Sequence, residues 1–180
     1  IEDGVLTEAE TNYFQLFSVA GTPDSIAFNA PRLLNPQNPY VEGRTSIYRL
    51  SLFCKKYLPG FEKAYISDIA NSLGIRVSNR VKGKYVYTQE DLKSGKRFKN
   101  PVVVSNYPID IHSDQKDGSK LEKVYQEYQL PIESLIVKDN LFVIGRCIST
   151  DFEAQGALRI IPSCFSMGEG LAKYLKARAF

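Results

Sequence analysis

Hydrophobic positions along the chain change spacing several times, and each change predicts an element. Residues 13–20, rich in Phe, Tyr and Val, predict a strand that ends at Gly21-Thr22-Pro23. Residues 29–43 gather prolines with Asn and Gly. Proline fixes φ and lacks a donor, so an irregular connection is expected there. Ile47, Leu50, Cys54, Tyr57 and Leu58 then recur at helical spacing. Thr45 or Ser46 is placed to cap that helix, Lys55 and Lys56 suit the negative end of its dipole, and Pro59-Gly60 stops it. A supporting role through one packed stripe is expected for it.

From residue 65 to residue 104 the texture becomes one of short strands. Ile75 to Val81 alternates apolar and polar, as a half-buried strand does. Gly83 predicts a turn into a second strand over 85–88, and Thr88 caps a helical turn over 89–92. Residues 115–123 are polar and predict an exposed loop. Two further strands are expected over 124–130 and 132–137, interrupted at Pro131. The continuous apolar run Leu141 to Ile144, closed by Gly145, predicts a strand buried on both faces. A loop over 146–156 leads to a last helix starting near 158–161, with Pro162 in its first turn. Ile161, Cys164, Phe165, Gly168, Leu171, Ala172 and Leu175 would share one side of it, with Lys173, Lys176 and Arg178 towards its end. Strand, glycine, loop and helix make one half of a βα unit, and in such sheets ligands sit beyond the carboxyl ends of the strands.

Composition narrows the function classes. The 43% hydrophobic and 24% charged residues among 180 fit a soluble globular protein. A net charge of +3 argues against nucleic acid as a partner, and the basic group Lys93, Lys96, Arg97 and Lys99 reads as a solvated turn. Three cysteines and a single histidine do not make a zinc set, which needs about four ligands, so no metal is expected. The odd cysteine count fits reduced thiols and favours a cytoplasmic setting, with one disulfide plus a free thiol as the alternative. No apolar run approaches the roughly 20 residues that cross a bilayer. The chain begins at Ile1 without a charged-then-apolar leader, so a truncated N-terminus is expected and targeting signals there are not visible.

Asn140 to Ala172, NLFVIGRCISTDFEAQGALRIIPSCFSMGEGLA, resembles the C-terminal signature of a family of FAD-dependent oxidoreductases. LPGFEKAYI at 58–66, LGIRVSNRVKGKYVYTQEDL at 73–92, YPIDIH at 107–112 and LPIESLIVKDNL at 130–141 resemble the family's upstream segments, in order. The resemblance implies a split FAD domain with an inserted substrate or cap domain. The expected architecture is therefore α+β: residues 1–130 as an antiparallel-sheet substrate or cap domain, and 131–180 as the last strand and helix of a Rossmann-like FAD-binding domain. The glycine-rich turn that holds a pyrophosphate at a helix N-terminus does not occur in the sequence. The chain is accordingly expected to be the C-terminal part of the enzyme, to hold FAD weakly by itself, and to partner the N-terminal half. An apolar docking surface should be exposed, which leaves room for a homodimer.

The same resemblance assigns residues. Gly145 and Arg146 would approach the ribityl and phosphate part of FAD, with Ser149 in the loop that follows. Gly156, Ala157, Leu158 and Arg159 would face the pyrimidine edge, where negative charge gathers on reduction. Arg159 has a competing role as a surface ion-pair partner of Glu153 or Asp151. His112 titrates in the range suited to taking a proton from a small-molecule substrate, and Asp110, two residues away on a strand, would orient it. Arg76 and Tyr107 are further candidates, Arg76 either for a substrate anion or for a salt bridge along the strand ladder. The competing function is a catalytically inert ligand-binding or interaction module related to the flavoenzyme.

Overall fold

A computed structural model describes residues 4–7, 10, 14–30, 32–33, 36–112 and 119–178, and leaves the side chains of His112, Ser119 and Lys120 undescribed. The chain forms two compact units, 1–74 with 114–118, and 75–113 with 119–180. The expected division at 130/131 falls inside the second unit.

In the first unit, β1 (Gln15–Ser18) and β2 (Ile26–Asn29) form an antiparallel hairpin. The expected strand is thus present over part of its range, while Tyr13 lies outside the described residues. Helix α1 (Pro39–Tyr57) starts earlier than Thr45. Asn38 caps it by accepting from the Val41 N–H, and Glu42 accepts in turn from the Asn38 N–H. Pro39 occupies the first turn, where a missing donor costs nothing, so the proline-rich connection ends sooner than its composition implies. Gly43, Ser46, Leu50 and Cys54 are the buried stripe of α1.

The second unit is also α+β, built from small antiparallel pairs. They are β3 (Pro101–Ser105) with β6 (Tyr128–Pro131), β4 (Ile109–His112) with β5 (Ser119–Glu122), and β7 (Ile136–Lys138) with β8 (Leu141–Phe142). Their core holds Tyr87, Leu92, Ile109, Tyr128, Leu130 and Leu158, all at most 1% exposed. Helix α2 (Gln89–Lys93) has the expected Thr88 cap, completed as a reciprocal box by Asp91.

Several expectations are corrected. Residues 75–81 form no strand despite their alternation. They are tied by separate hydrogen bonds, including Val81 N–H to the Cys147 carbonyl. The second arm of the hairpin predicted at Gly83 is absent too, and Tyr87 makes only an isolated parallel bridge to Thr150. Part of the predicted polar loop, 119–122, is β5, whereas 115–118 lie outside the described residues. Pro131 ends β6 rather than interrupting two strands, and Ile132–Ser134 turn as a 3-10 helix. The run Leu141 to Ile144 is not a doubly buried strand. Only Leu141–Phe142 pair, antiparallel to β7, and Leu141 and Ile144 are 50% and 44% exposed.

The loop expected over 146–156 contains a helix of its own, α3 (Phe152–Leu158). The Asp151 carboxylate caps it by accepting from the Ala154 N–H at 2.7 Å. Helix α4 (Ile161–Arg178) begins where Pro162 requires, but its packed side differs from the expected one. Ser163 and Met167 are buried, whereas Ile161 and Phe165 are 72% and 75% exposed. Apolar residues alone misplace the stripe, because the helix sits on β3 through its small residues: a Cβ at Gly170 would lie 2.7 Å from Val102 Cβ.

Candidate functional site

The site is built where β4, α3 and the start of α4 meet. Gly145 follows β8 with φ +86, the left-handed bend that a side chain disfavours, and open space faces the position of its missing Cβ. Its N–H points to Met167 Sδ at 3.4 Å, which docks the bend on α4. The tight turn expected after Ile144 is therefore present.

Arg159 occupies the break between α3 and α4, with its N–H donating to the Gln155 carbonyl. Its side chain is 8% exposed. Nη2 donates to the Asp110 carbonyl oxygen at 2.9 Å and to Asp110 Oδ2 at 3.3 Å. The pairing with Glu153 or Asp151 that the sequence left open is replaced by this one, since Asp151 is engaged by Ala154 and by the Gln89 N–H at 2.7 Å. Burial lowers the Arg159 pKa, Asp110 opposes that, and the nearby positive charges of Arg76 and Arg146 add to the lowering. Arg159 Nε is buried without a hydrogen-bond partner.

Two spaces open on Arg159. One is an open groove of about 760 Å³ lined by Ile144, Gly145, Arg146, Ile161, Cys164, Phe165, Gly168 and Glu169 as well as Arg159. The other is a small cavity of about 50 Å³ between Arg76, Val77, Asp110, Ile111, Phe152, Gln155, Gly156 and Arg159. Burial raises the pKa of the groove's Cys164, against the opposing effect of Arg146, so this thiol is held in its neutral form at neutral pH.

The residues singled out from sequence fall into different places. Gly145, Arg146 and Arg159 come together on the groove. Asp110, Gly156 and Arg76 line the small cavity with Arg159. Gly156, Ala157 and Leu158 are buried in α3 rather than at the start of the last helix, and a Cβ on Gly156 would lie 3.0 Å from the Asp110 carbonyl oxygen. Ser149 is fully buried, donating its N–H to the Ser134 carbonyl and accepting from the Tyr87 N–H, away from both spaces. Tyr107 accepts at its carbonyl from the Tyr128 hydroxyl. His112 belongs to β4, with its side chain outside the described residues.

Gln155 is the residue that sequence reasoning missed. It is 1% exposed, and its Nε2 donates to the carbonyls of Arg76 at 3.2 Å and Arg146 at 3.1 Å. It thereby ties together the two segments that carry the other arginines. Its spacing of four from Arg159, once α3 is recognised, is the signal that could have found it. Among the described residues no group of three or more His, Cys, Asp or Glu side chains is placed to hold a metal, and no helix is long and apolar enough to cross a membrane.

A family model described as FAD dependent oxidoreductase matches residues 3–176. No curated protein and no solved structure matches the chain.

Proposed function

The chain belongs to the FAD-dependent oxidoreductase family, and from that membership we propose that it closes the flavin site of a redox enzyme acting on a small organic molecule. The observation that carries this reading is the joint placement of the left-handed Gly145 bend, Arg146 and buried Arg159 on one open groove with an apolar wall. These residues fit a flavin. Gly145 admits close approach of a ligand to backbone, Ile161 and Phe165 offer apolar surface for a ring, and Arg159 brings a guanidinium to the groove lining.

When bound, FAD supplies a ring that accepts two electrons as hydride. The protein's own residues supply position and charge. Arg146 and Arg159 place positive charge beside the groove, where it favours the negative charge of the reduced state. Asp110 fixes Arg159 through two hydrogen bonds from a single nitrogen. The residue assigned to take a proton from the substrate hydroxyl or amine is His112, two residues after Asp110 on β4. A segment with a glycine-rich turn, which these 180 residues lack, holds the pyrophosphate and docks on the exposed apolar side of α4.

The test is the visible absorption of the whole protein that carries this chain, purified from its native host. A flavin spectrum, or one restored by added FAD, is expected, and its reduction rate should fall at least about tenfold in Arg159→Ala. A protein that stays colourless with excess FAD overturns the proposal.

A further inference from the structure

Helix α3 places both arginines of the groove, one directly and one at a distance. Arg159 follows that helix as its C-cap and lines the groove itself. Arg146 lies in another segment and is exposed, and a long exposed side chain ordinarily spreads its charge over many rotamers. Here it is anchored, because Nη1 donates to the Ile75 carbonyl. That anchor is only as firm as the segment behind it, and 75–81 belongs to no helix or strand. Hydrogen bonds hold the segment alongside 146–150 instead. The Val81 N–H donates to the Cys147 carbonyl at 2.9 Å, Arg80 Nε to the Thr150 carbonyl at 3.1 Å, and Gln155 Nε2 to the Arg76 carbonyl at 3.2 Å. The last of these lies next to Ile75.

Gln155 reaches both sides of the Arg146 anchor. Its amide nitrogen also donates to the Arg146 carbonyl at 3.1 Å, so its two hydrogens serve two segments far apart in sequence. Two carbonyls demand a donor, which fixes the orientation of the amide. The side chain is 1% exposed, and the Gln155 N–H donates to the Asp151 carbonyl at 3.2 Å inside α3, so the amide is held by a capped helix. We infer that Gln155 is a positioning residue of the flavin groove: its amide clasps the Arg76 and Arg146 backbones together and so fixes the Arg146 guanidinium where it favours the reduced ring. This role rests on the groove being the flavin face. A charge held in one place acts more strongly than one averaged over solvated rotamers. Opening the clasp leaves Arg146 in the chain but takes its charge away from the ring. Reduced flavin then loses affinity relative to oxidised flavin, and the potential becomes more negative.

The experiment measures the midpoint potential of the whole protein that carries this chain, produced with FAD in its native host, as parent, Gln155→Asn, Arg146→Gln and the double variant. Gln155→Leu strips both carbonyls of their donor and threatens the fold. Gln155→Asn is therefore the deciding variant, since it keeps an amide but is one methylene too short to reach both carbonyls. Its reduced flavin should bind about threefold to tenfold more weakly relative to oxidised flavin, the loss of about one hydrogen bond, which for a two-electron couple is about 15–30 mV more negative. In the Arg146→Gln background the same change should shift the potential no further, because the charge that Gln155 positions is gone. Hydrogen–deuterium exchange of the same proteins needs no flavin. It should quicken together in peptides covering 75–81 and 144–148, while peptides around Leu130 keep the parent rate. An unchanged potential in Gln155→Asn overturns the role, and so does an equal shift with and without Arg146. Unchanged exchange in the two segments overturns it as well, since no clasp would have opened. A parent protein that stays colourless with added FAD sinks the flavin reading. In such a protein, joint quickening of the two segments keeps Gln155 as the clasp on Arg146, and its absence removes the clasp too.

Discussion

Arg159 Nη2 donates to both the backbone carbonyl and the carboxylate of Asp110, at 2.9 and 3.3 Å. One nitrogen thus fastens the junction of α3 and α4 to strand β4. The arrangement depends on Gly156, which lets α3 approach so closely that a Cβ would sit 3.0 Å from the Asp110 carbonyl oxygen. The charged group that faces the groove is therefore held by a residue on another strand rather than by its neighbours in sequence.

Asp110→Asn should expose what the charge contributes. The amide oxygen still accepts from Nη2 and the backbone bond is unaffected, but the guanidinium remains 92% buried by its 8% exposure with no carboxylate of the cavity to offset it. Breaking a fully buried pair costs about 3–5 kcal/mol. Here Asp110 is 21% exposed and the hydrogen bond survives, so a loss of about 1–3 kcal/mol is expected in urea unfolding. A variant as stable as the parent would show that Arg159 is solvated or satisfied elsewhere.

A second network gives a pH dependence. Asp91 accepts from Lys96 Nζ at 2.8 Å, from the Tyr85 hydroxyl at 2.7 Å and from the Thr88 N–H at 3.2 Å. Burial raises its pKa, but the bonds from Lys96, Tyr85 and Thr88 outweigh burial and leave it below the ordinary carboxylate value. A folded-state pKa below the unfolded value of about 4 means that the stabilisation is complete above that pH and is lost as pH falls through the folded pKa. The difference in urea midpoint between the parent and Asp91→Asn should therefore be constant from pH 7 down to about 5 and shrink below about 4. A constant difference down to pH 2 would contradict the shift.

Much of the local structure was legible because it is encoded locally. The Thr88 cap, the Gly145 bend and the start of α4 before Pro162 follow from single residues with narrow conformational preferences. The 75–81 segment misled because alternation records which side chains are solvated and does not supply a partner strand. Its carbonyls instead meet the side chains of Arg146 and Gln155. Helix α3 was hidden in a region read as loop, though Asp151 is an ordinary N-cap ahead of Phe-Glu-Ala-Gln. Missing α3 also hid Gln155 and the Arg159–Asp110 contact, which joins residues 49 apart in sequence.

The two sides of α4 can be separated by paired glycine substitutions. A Cβ at Gly170 would meet Val102 Cβ at 2.7 Å, Cγ1 at 2.8 Å and Cα at 3.0 Å, and backbone of β3 cannot yield as a flexible side chain does. A Cβ at Gly168 would meet only Ile144 Cδ1, at 3.8 Å, an ordinary contact on the groove side. Alanine in place of helix-interior glycine gains up to about 1 kcal/mol by itself. Overpacking at Gly170 costs about 1–3 kcal/mol against that gain. Gly170→Ala should thus lower the urea midpoint, whereas Gly168→Ala should hold or raise it. If both glycine variants gained stability alike, α4 would not lie against β3 through Gly170, and the groove side assigned to Gly168 and Phe165 would lose its basis.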